Sequence, residues 1–216
     1  MIVRRSIVAA ALIVAVSARS GAQTPTAPPS PAPTRPGKVM LTGENPGIRL
    51  LDKPGGTTVT QISFWRIHWS PVGPGHVCYV TTGDEKTPGA LRIAIFDNQK
   101  LFDYLTRDVL GTYNKSYVER PFTPVSGATV TTAGDGTAER RETCKSDKYT
   151  VELVWQDLGT PSLVDFMPGT RPPNPFGLTF VQIPAGRSQV LVNGKPAPGV
   201  SIPGGGFLAL GETWMK

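Results

Sequence analysis

Tyr149, Val151, Leu153 and Trp155 recur at every second position, with Thr150, Glu152, Val154 and Gln156 between them. A period of two places one set on each face of a strand. The same alternation marks residues 57–69, where Trp65, Ile67 and Trp69 share a face and Phe64, Arg66 and His68 share the other. Residues 76–82, 91–96, 128–132, 137–142, 178–183, 189–192 and 207–214 also read as strands. Turn residues separate several of them. Ala133-Gly134-Asp135-Gly136 and Lys145-Ser146-Asp147-Lys148 each mark a reversal, and Asn193-Gly194 is a strong two-residue hairpin signal.

One segment departs from this period. Leu101, Phe102, Leu105, Val109 and Leu110 form an apolar stripe at helical spacing, and Lys100, Asp103, Thr106, Arg107 and Asp108 fall largely outside it. Asp97 or Asn98 can cap this helix, and Gly111 is its expected stop. The pattern therefore predicts an amphipathic helix over about 98–110. A single helix cannot cover both faces of a parallel sheet, which excludes a doubly wound fold. The expectation is a mainly β protein, an antiparallel β-sandwich or partly open β-barrel, with the helix packed on one face or opening.

The N-terminal residues change the reading of compartment. Arg4 and Arg5 precede an apolar run from Ile7 to Val16, followed by Ser20-Gly21-Ala22. This is the layout of a cleaved signal peptide over residues 1–22, and the run is too short to span a bilayer. Arg4-Arg5-Ser6-Ile7-Val8 also resembles a weakened twin-arginine signal. In residues 24–37, seven of fourteen are proline or glycine, so residues 23–37 read as an extended linker and 38–216 as one β-rich domain. The expected location is the periplasm or the exterior, with no transmembrane anchor after cleavage.

Cleavage removes Arg4, Arg5 and Arg19 and no acids, taking the formal charge from +6 to +3 (6 − 3). The remaining charges alternate in sign, as in Glu139-Arg140-Arg141-Glu142, so nucleic acid is not an expected partner. A small molecule or an envelope protein is. Cys78 and Cys144 are the only cysteines. In an exported chain such a pair is expected to form a disulfide, the alternative being a reactive or metal-bound thiol.

No zinc-protease helix, nucleophile elbow, P-loop or Cys-x-x-Cys occurs, and no cofactor is implied. Chemistry must then rest on scattered residues. A hairpin pairing 64–69 with 76–80 places His68, His76, Cys78 and Arg66 on one face, and Val77 and Tyr79 with the tryptophans on the other. His68 is a candidate acid/base and Arg66 a candidate anion anchor, with Glu152 or Glu142 as the carboxylate. His68 and His76, with or without Cys78, are a candidate metal-ligand set. The proline-rich loop 167–177 carries Arg171 and Phe176, which can contact an anionic or aromatic ligand. Three functions stay open. The first is a non-enzymatic exported small-ligand-binding or envelope accessory protein. The second is an enzyme with a barrel pocket served by His68 and Arg66. The third is a metal-handling protein using His68 and His76.

Overall fold

In the computed structural model, which describes residues 37–83, 87–169 and 175–215, the strands join into one continuous sheet. The expected signal peptide and Arg171 lie outside the described residues, as does all of the expected linker except Gly37. The strands are β1 (Lys38–Glu44), β2 (Gly47–Leu51), β3 (Thr58–Trp69), β4 (Gly75–Thr82), β5 (Leu91–Phe96), β6 (Thr123–Val125), β7 (Thr129–Ala133), β8 (Glu139–Lys145), β9 (Thr150–Leu158), β10 (Ser162–Phe166), β11 (Gly177–Val192), β12 (Lys195–Pro196) and β13 (Gly206–Met215). The main path runs β6-β5-β4-β3-β1-β13-β11-β9-β8-β7. Its pairings are antiparallel except that of β5 with β6. The fold is mainly β, with strands over 56% of the described residues and helix over 11%.

The sheet curls into a barrel that does not close evenly. Ile62, Phe64, Cys78, Val80, Ile93 and Ile95 of one wall pack against Cys144, Val151, Leu153, Trp155 and Val190 of the other. Near the two ends of the strand path, Ala128 donates its N–H to the Phe96 carbonyl at 3.0 Å. The strand alternation follows from this geometry. Residues of one parity fill the barrel and their neighbours point outward, where a second apolar layer awaits them.

That second layer is the helix. It runs over 15 residues as α1 (Gln99–Tyr104), a π-helical turn (Leu105–Leu110) and α2 (Gly111–Tyr113), followed by the short α3 (Ser116–Glu119). Asn98 caps it, accepting from the Leu101 N–H at 3.2 Å. Its apolar stripe is buried against Trp65, Ile67, Val77, Tyr79, Ala94 and Phe96. Phe96 and Phe102 stack with centroids 4.5 Å apart, and the Tyr79 hydroxyl meets Thr106 Oγ1 at 2.7 Å. Burial raises the Tyr79 pKa, so the phenol stays protonated. The β3–β4 register pairs Arg66 with His76 and Trp65 with Val77, as the faces required.

Several expectations are corrected. Gly111 does not stop the helix, because it adopts ordinary helical angles inside it. Residues 178–183 and 189–192 belong to one 16-residue strand, β11, that runs through Pro184. Trp69, expected in the core, is 49% exposed at the end of β3 and is not part of the buried helix layer. The Asn193-Gly194 hairpin is present, with both residues at positive φ as a type I′ turn requires.

The expected Cys78–Cys144 disulfide is also corrected. Both cysteines are free and buried in the barrel, and their sulfurs are not at bonding distance. They pack as small apolar side chains in thiol–thiol contact. The hydrogen bond to Cys78 pushes the Cys144 thiol well up, and burial adds to it. The thiolate that disulfide formation needs is therefore suppressed. Titration with a thiol reagent should find two reactive thiols per chain in denaturant and essentially none in the native protein. Finding none after denaturation contradicts this packing.

Candidate functional site

Two polar features stand out against the apolar layers. The first is an ionic cluster at the end of the inner core. Arg66 on β3 donates to Glu142 Oε2 at 2.7 Å, to Glu44 Oε2 at 3.3 Å and to Thr132 Oγ1 at 2.5 Å. Arg140 on β8 holds Glu142 Oε1 through Nε at 2.8 Å and Nη2 at 2.7 Å, and also bonds Glu44 Oε2. The Thr132 hydroxyl donates to Glu142 Oε2 at 2.9 Å. Glu142 is fully buried, yet both its oxygens are satisfied. Two cations and two anions interlock there, so the buried charge is locally balanced. The Arg66 guanidinium also lies 5.6 Å from the centre of the Phe64 ring, where the ionic layer meets the core.

His76 extends this cluster. Its Nε2 accepts from Arg66 Nε at 3.3 Å, so the ring proton is on Nδ1, which donates to Asp97 Oδ2 at 2.6 Å. The His76 backbone N–H donates to Asp97 Oδ1 at 2.7 Å. Burial works to raise the Asp97 carboxyl, but these bonds from His76 outweigh it and hold the pKa below the ordinary value of 3.8.

The candidate residues fall in different places. Arg66 and Glu142 meet in the cluster. His68 is 60% exposed at its side chain, 3.8 Å from Glu44 Oε1. Glu152 is on the opposite face of β9 and pairs with Arg141 at 3.3 Å. His68 and His76 do not form a metal set with Cys78. Both His76 ring nitrogens are engaged and Cys78 is in the core, and no group of three potential metal-binding side chains occurs among the described residues.

The second feature is a cavity of about 320 Å³ between the C-terminal half of the helix and the outer face of the sheet. Trp65, Val109, Leu110, Leu178 and Ala209 form its apolar body, and Phe176, Phe180 and Phe207 add aromatic walls. Asn45, Gln61, Ser63 and Tyr117 form a polar corner. Ser63 Oγ organises that corner. It accepts from Trp65 Nε1 at 2.9 Å and from Asn45 Nδ2 at 3.2 Å, and it bonds the Tyr117 phenol. Burial raises the Tyr117 pKa, keeping that phenol a hydrogen-bond donor.

The local sequence explains the opening. The π-helical turn supplies Val109 and Leu110 to the cavity. Such wide turns in helices frequently occur at functional sites. On the opposite side, Gly177 lets the Trp214 ring lie directly over the backbone, since a Cβ there would be 2.2 Å from the indole. Phe176, one residue earlier, is 5% exposed and reaches the cavity.

Neither a family model nor a curated protein matches the chain. Among solved structures it is similar to a Nitrosomonas europaea protein described as an AttH candidate, with 13% identity and a TM-score of 0.37. The match covers 86% of this chain and 56% of that one, so the chain spans little more than half the length of that structure. A likeness of this size assigns neither fold family nor function.

Of the sequence candidates, the cavity includes only Phe176 among the described residues. The sequence reading missed Glu44, Arg140 and Asp97 in the ionic cluster, and Asn45, Ser63 and Tyr117 in the cavity. The alternation of 57–69 already separated Ser63 and Trp65 from Arg66 and His68. What it lacked was the knowledge that the Ser63 face, rather than the His68 face, holds the void.

Proposed function

We propose that this is an exported, non-enzymatic protein that binds a small, largely apolar molecule in the cavity between helix and sheet. The observation that carries this reading is the cavity itself. It is a pocket of ligand size with aromatic walls and one organised polar corner, the usual make-up of a small-molecule site. Export rests on the N-terminal sequence pattern. Binding is favoured over turnover because neither histidine is among the lining residues.

The test uses N-phenyl-1-naphthylamine, a neutral dye that brightens in apolar surroundings. It should bind one-to-one and saturably. Ala209→Trp fills the cavity and should weaken binding roughly tenfold or more, the scale of forced overpacking. Leu178→Trp, approaching from β11, should do the same. Circular dichroism identifies a variant that fails to fold. Saturable binding that both folded variants leave intact overturns the reading.

A further inference from the structure

We propose that the ligand of this cavity carries a neutral carbonyl oxygen on its apolar body, and that the Tyr117 phenol donates its proton to that oxygen. This rests on the cavity being a ligand site. The hydrogen bonds of the polar corner lead to Tyr117. Trp65 Nε1 can only donate, and it donates to Ser63 Oγ at 2.9 Å. Both amide protons of Asn45 are engaged, one on Ser63 Oγ at 3.2 Å and one on the Phe64 carbonyl at 2.9 Å. The carbonyl partner fixes which end of the Asn45 amide is the nitrogen. Ser63 Oγ accepts twice, which fills the two lone pairs of a hydroxyl oxygen. Its own proton is left to donate, and its partner is the Tyr117 phenol. Gln61 and Asn114, the other polar amides of the lining, are exposed and meet water.

The phenol oxygen receives the Ser63 proton and keeps its own for a different acceptor. Among the described residues none takes it. The ring is held edge-on to Tyr79 with centroids 5.2 Å apart, and 5.4 Å from Phe122, so the donor has a fixed place at the corner. A wholly apolar ligand would strip water from this proton and leave it unpaired. A ligand carbonyl removes that penalty. Arg92 adds to the preference for an oxygen. Its guanidinium lies 4.0 Å from the centre of the Phe122 ring, and its positive charge opposes burial in setting the Tyr117 pKa. That charge favours an electron-rich atom beside the phenol over a second donor. Arg92 itself donates to the Arg120 and Ser116 carbonyls and is not among the lining residues. No lysine, arginine or histidine is among the described lining residues. A carboxylate would give up its hydration there for one phenol proton, whereas a neutral carbonyl has less hydration to lose.

Three naphthalenes of nearly the same shape test this, each read as a competitor of N-phenyl-1-naphthylamine. They are 2-acetylnaphthalene, 2-isopropenylnaphthalene, in which CH2 replaces the carbonyl oxygen, and 2-naphthoate. The ketone should bind tightest. Tyr117→Phe keeps the ring and removes the donor. It should lower the ratio of ketone to alkene affinity roughly fivefold, the scale of one net hydrogen bond, and leave binding of the dye within about twofold. The infrared carbonyl band of the bound ketone should lie below its position in hexane in the parent protein and return toward it in Tyr117→Phe. An unchanged affinity ratio in Tyr117→Phe overturns the assignment to Tyr117 and leaves the cavity reading intact. A carbonyl band at the hexane position in the parent does the same, and it decides the matter even if the variant fails to fold. Naphthoate that binds more tightly than the ketone, at a site blocked by Ala209→Trp, overturns the neutral carbonyl. Probes that bind but ignore Ala209→Trp overturn the cavity reading and this inference together.

Discussion

Replacing Glu142 with alanine should destabilise the domain by about 3–5 kcal/mol, the cost of removing one partner from a buried charge network. Glu142 is fully buried and accepts from Arg66, Arg140 and Thr132. Without it, two guanidinium groups at the end of the core share only Glu44. Their desolvation is then no longer offset. Restoring balance by a different route should recover stability. A double replacement, Arg140→Met with Glu142→Leu, leaves Arg66 with Glu44 and should be more stable than Glu142→Ala. Urea denaturation measures both. A loss below about 1 kcal/mol for Glu142→Ala would mean that water reaches this cluster freely, as it does exposed ion pairs.

Trp155→Ala should have an effect of similar size, about 3–5 kcal/mol, as large-to-small replacements of buried aromatics do. The indole is fully buried among Leu153, Ile48 and Leu208, and its Nε1 donates to the Gly47 carbonyl at 3.0 Å. That bond anchors the start of β2. Gly47 in turn lies under the Phe207 ring, which a Cβ would approach to 2.8 Å. Phe207 is a cavity wall, so the inner core and the outer cavity are joined through one backbone position. Trp155→Phe keeps most of the apolar volume and loses the bond to Gly47. It should cost less than the alanine variant and more than an exposed replacement such as Trp69→Phe. Equal unfolding midpoints for Trp155→Ala and the parent contradict the packing described.

Much of this architecture was legible in the chain. The alternation in 57–69 separated the barrel face from the helix face, that in 149–156 picked out the barrel face of β9, and the stripe from Leu101 to Leu110 named the helix residues that pack on the sheet. Other elements carried weaker signals. β1 and β2 contain Gly43 and Gly47, which mute the apolar period while allowing close approach to Arg66 and Phe207. β6 is Thr-Pro-Val, and proline disfavours a strand assignment except at a sheet edge, which is where β6 lies. β10 alternates weakly and leaves Leu163 74% exposed.

The candidate site was less legible for a physical reason. Sequence periodicity assigns a residue to a face, but a cavity is a gap left between faces. His68 and Arg66 drew attention because their side chains can do chemistry. Ser63 on β3 and Tyr117 on α3 matter because the sheet and the helical segment that carry them leave a space between them unfilled. Gly111 was expected to end the helix at the position from which it instead continues to Tyr113, a cavity-lining residue.

The most direct test is where a bound probe perturbs the protein. In a backbone amide NMR titration with N-phenyl-1-naphthylamine, the largest shifts should cluster at Ser63, Trp65, Leu110, Tyr117, Phe180 and Ala209. Arg66, His76 and Glu142 should change little. Shifts concentrated instead at the ionic cluster, or along the exposed row Leu163, Val181 and Leu210, would contradict a ligand site between helix and sheet.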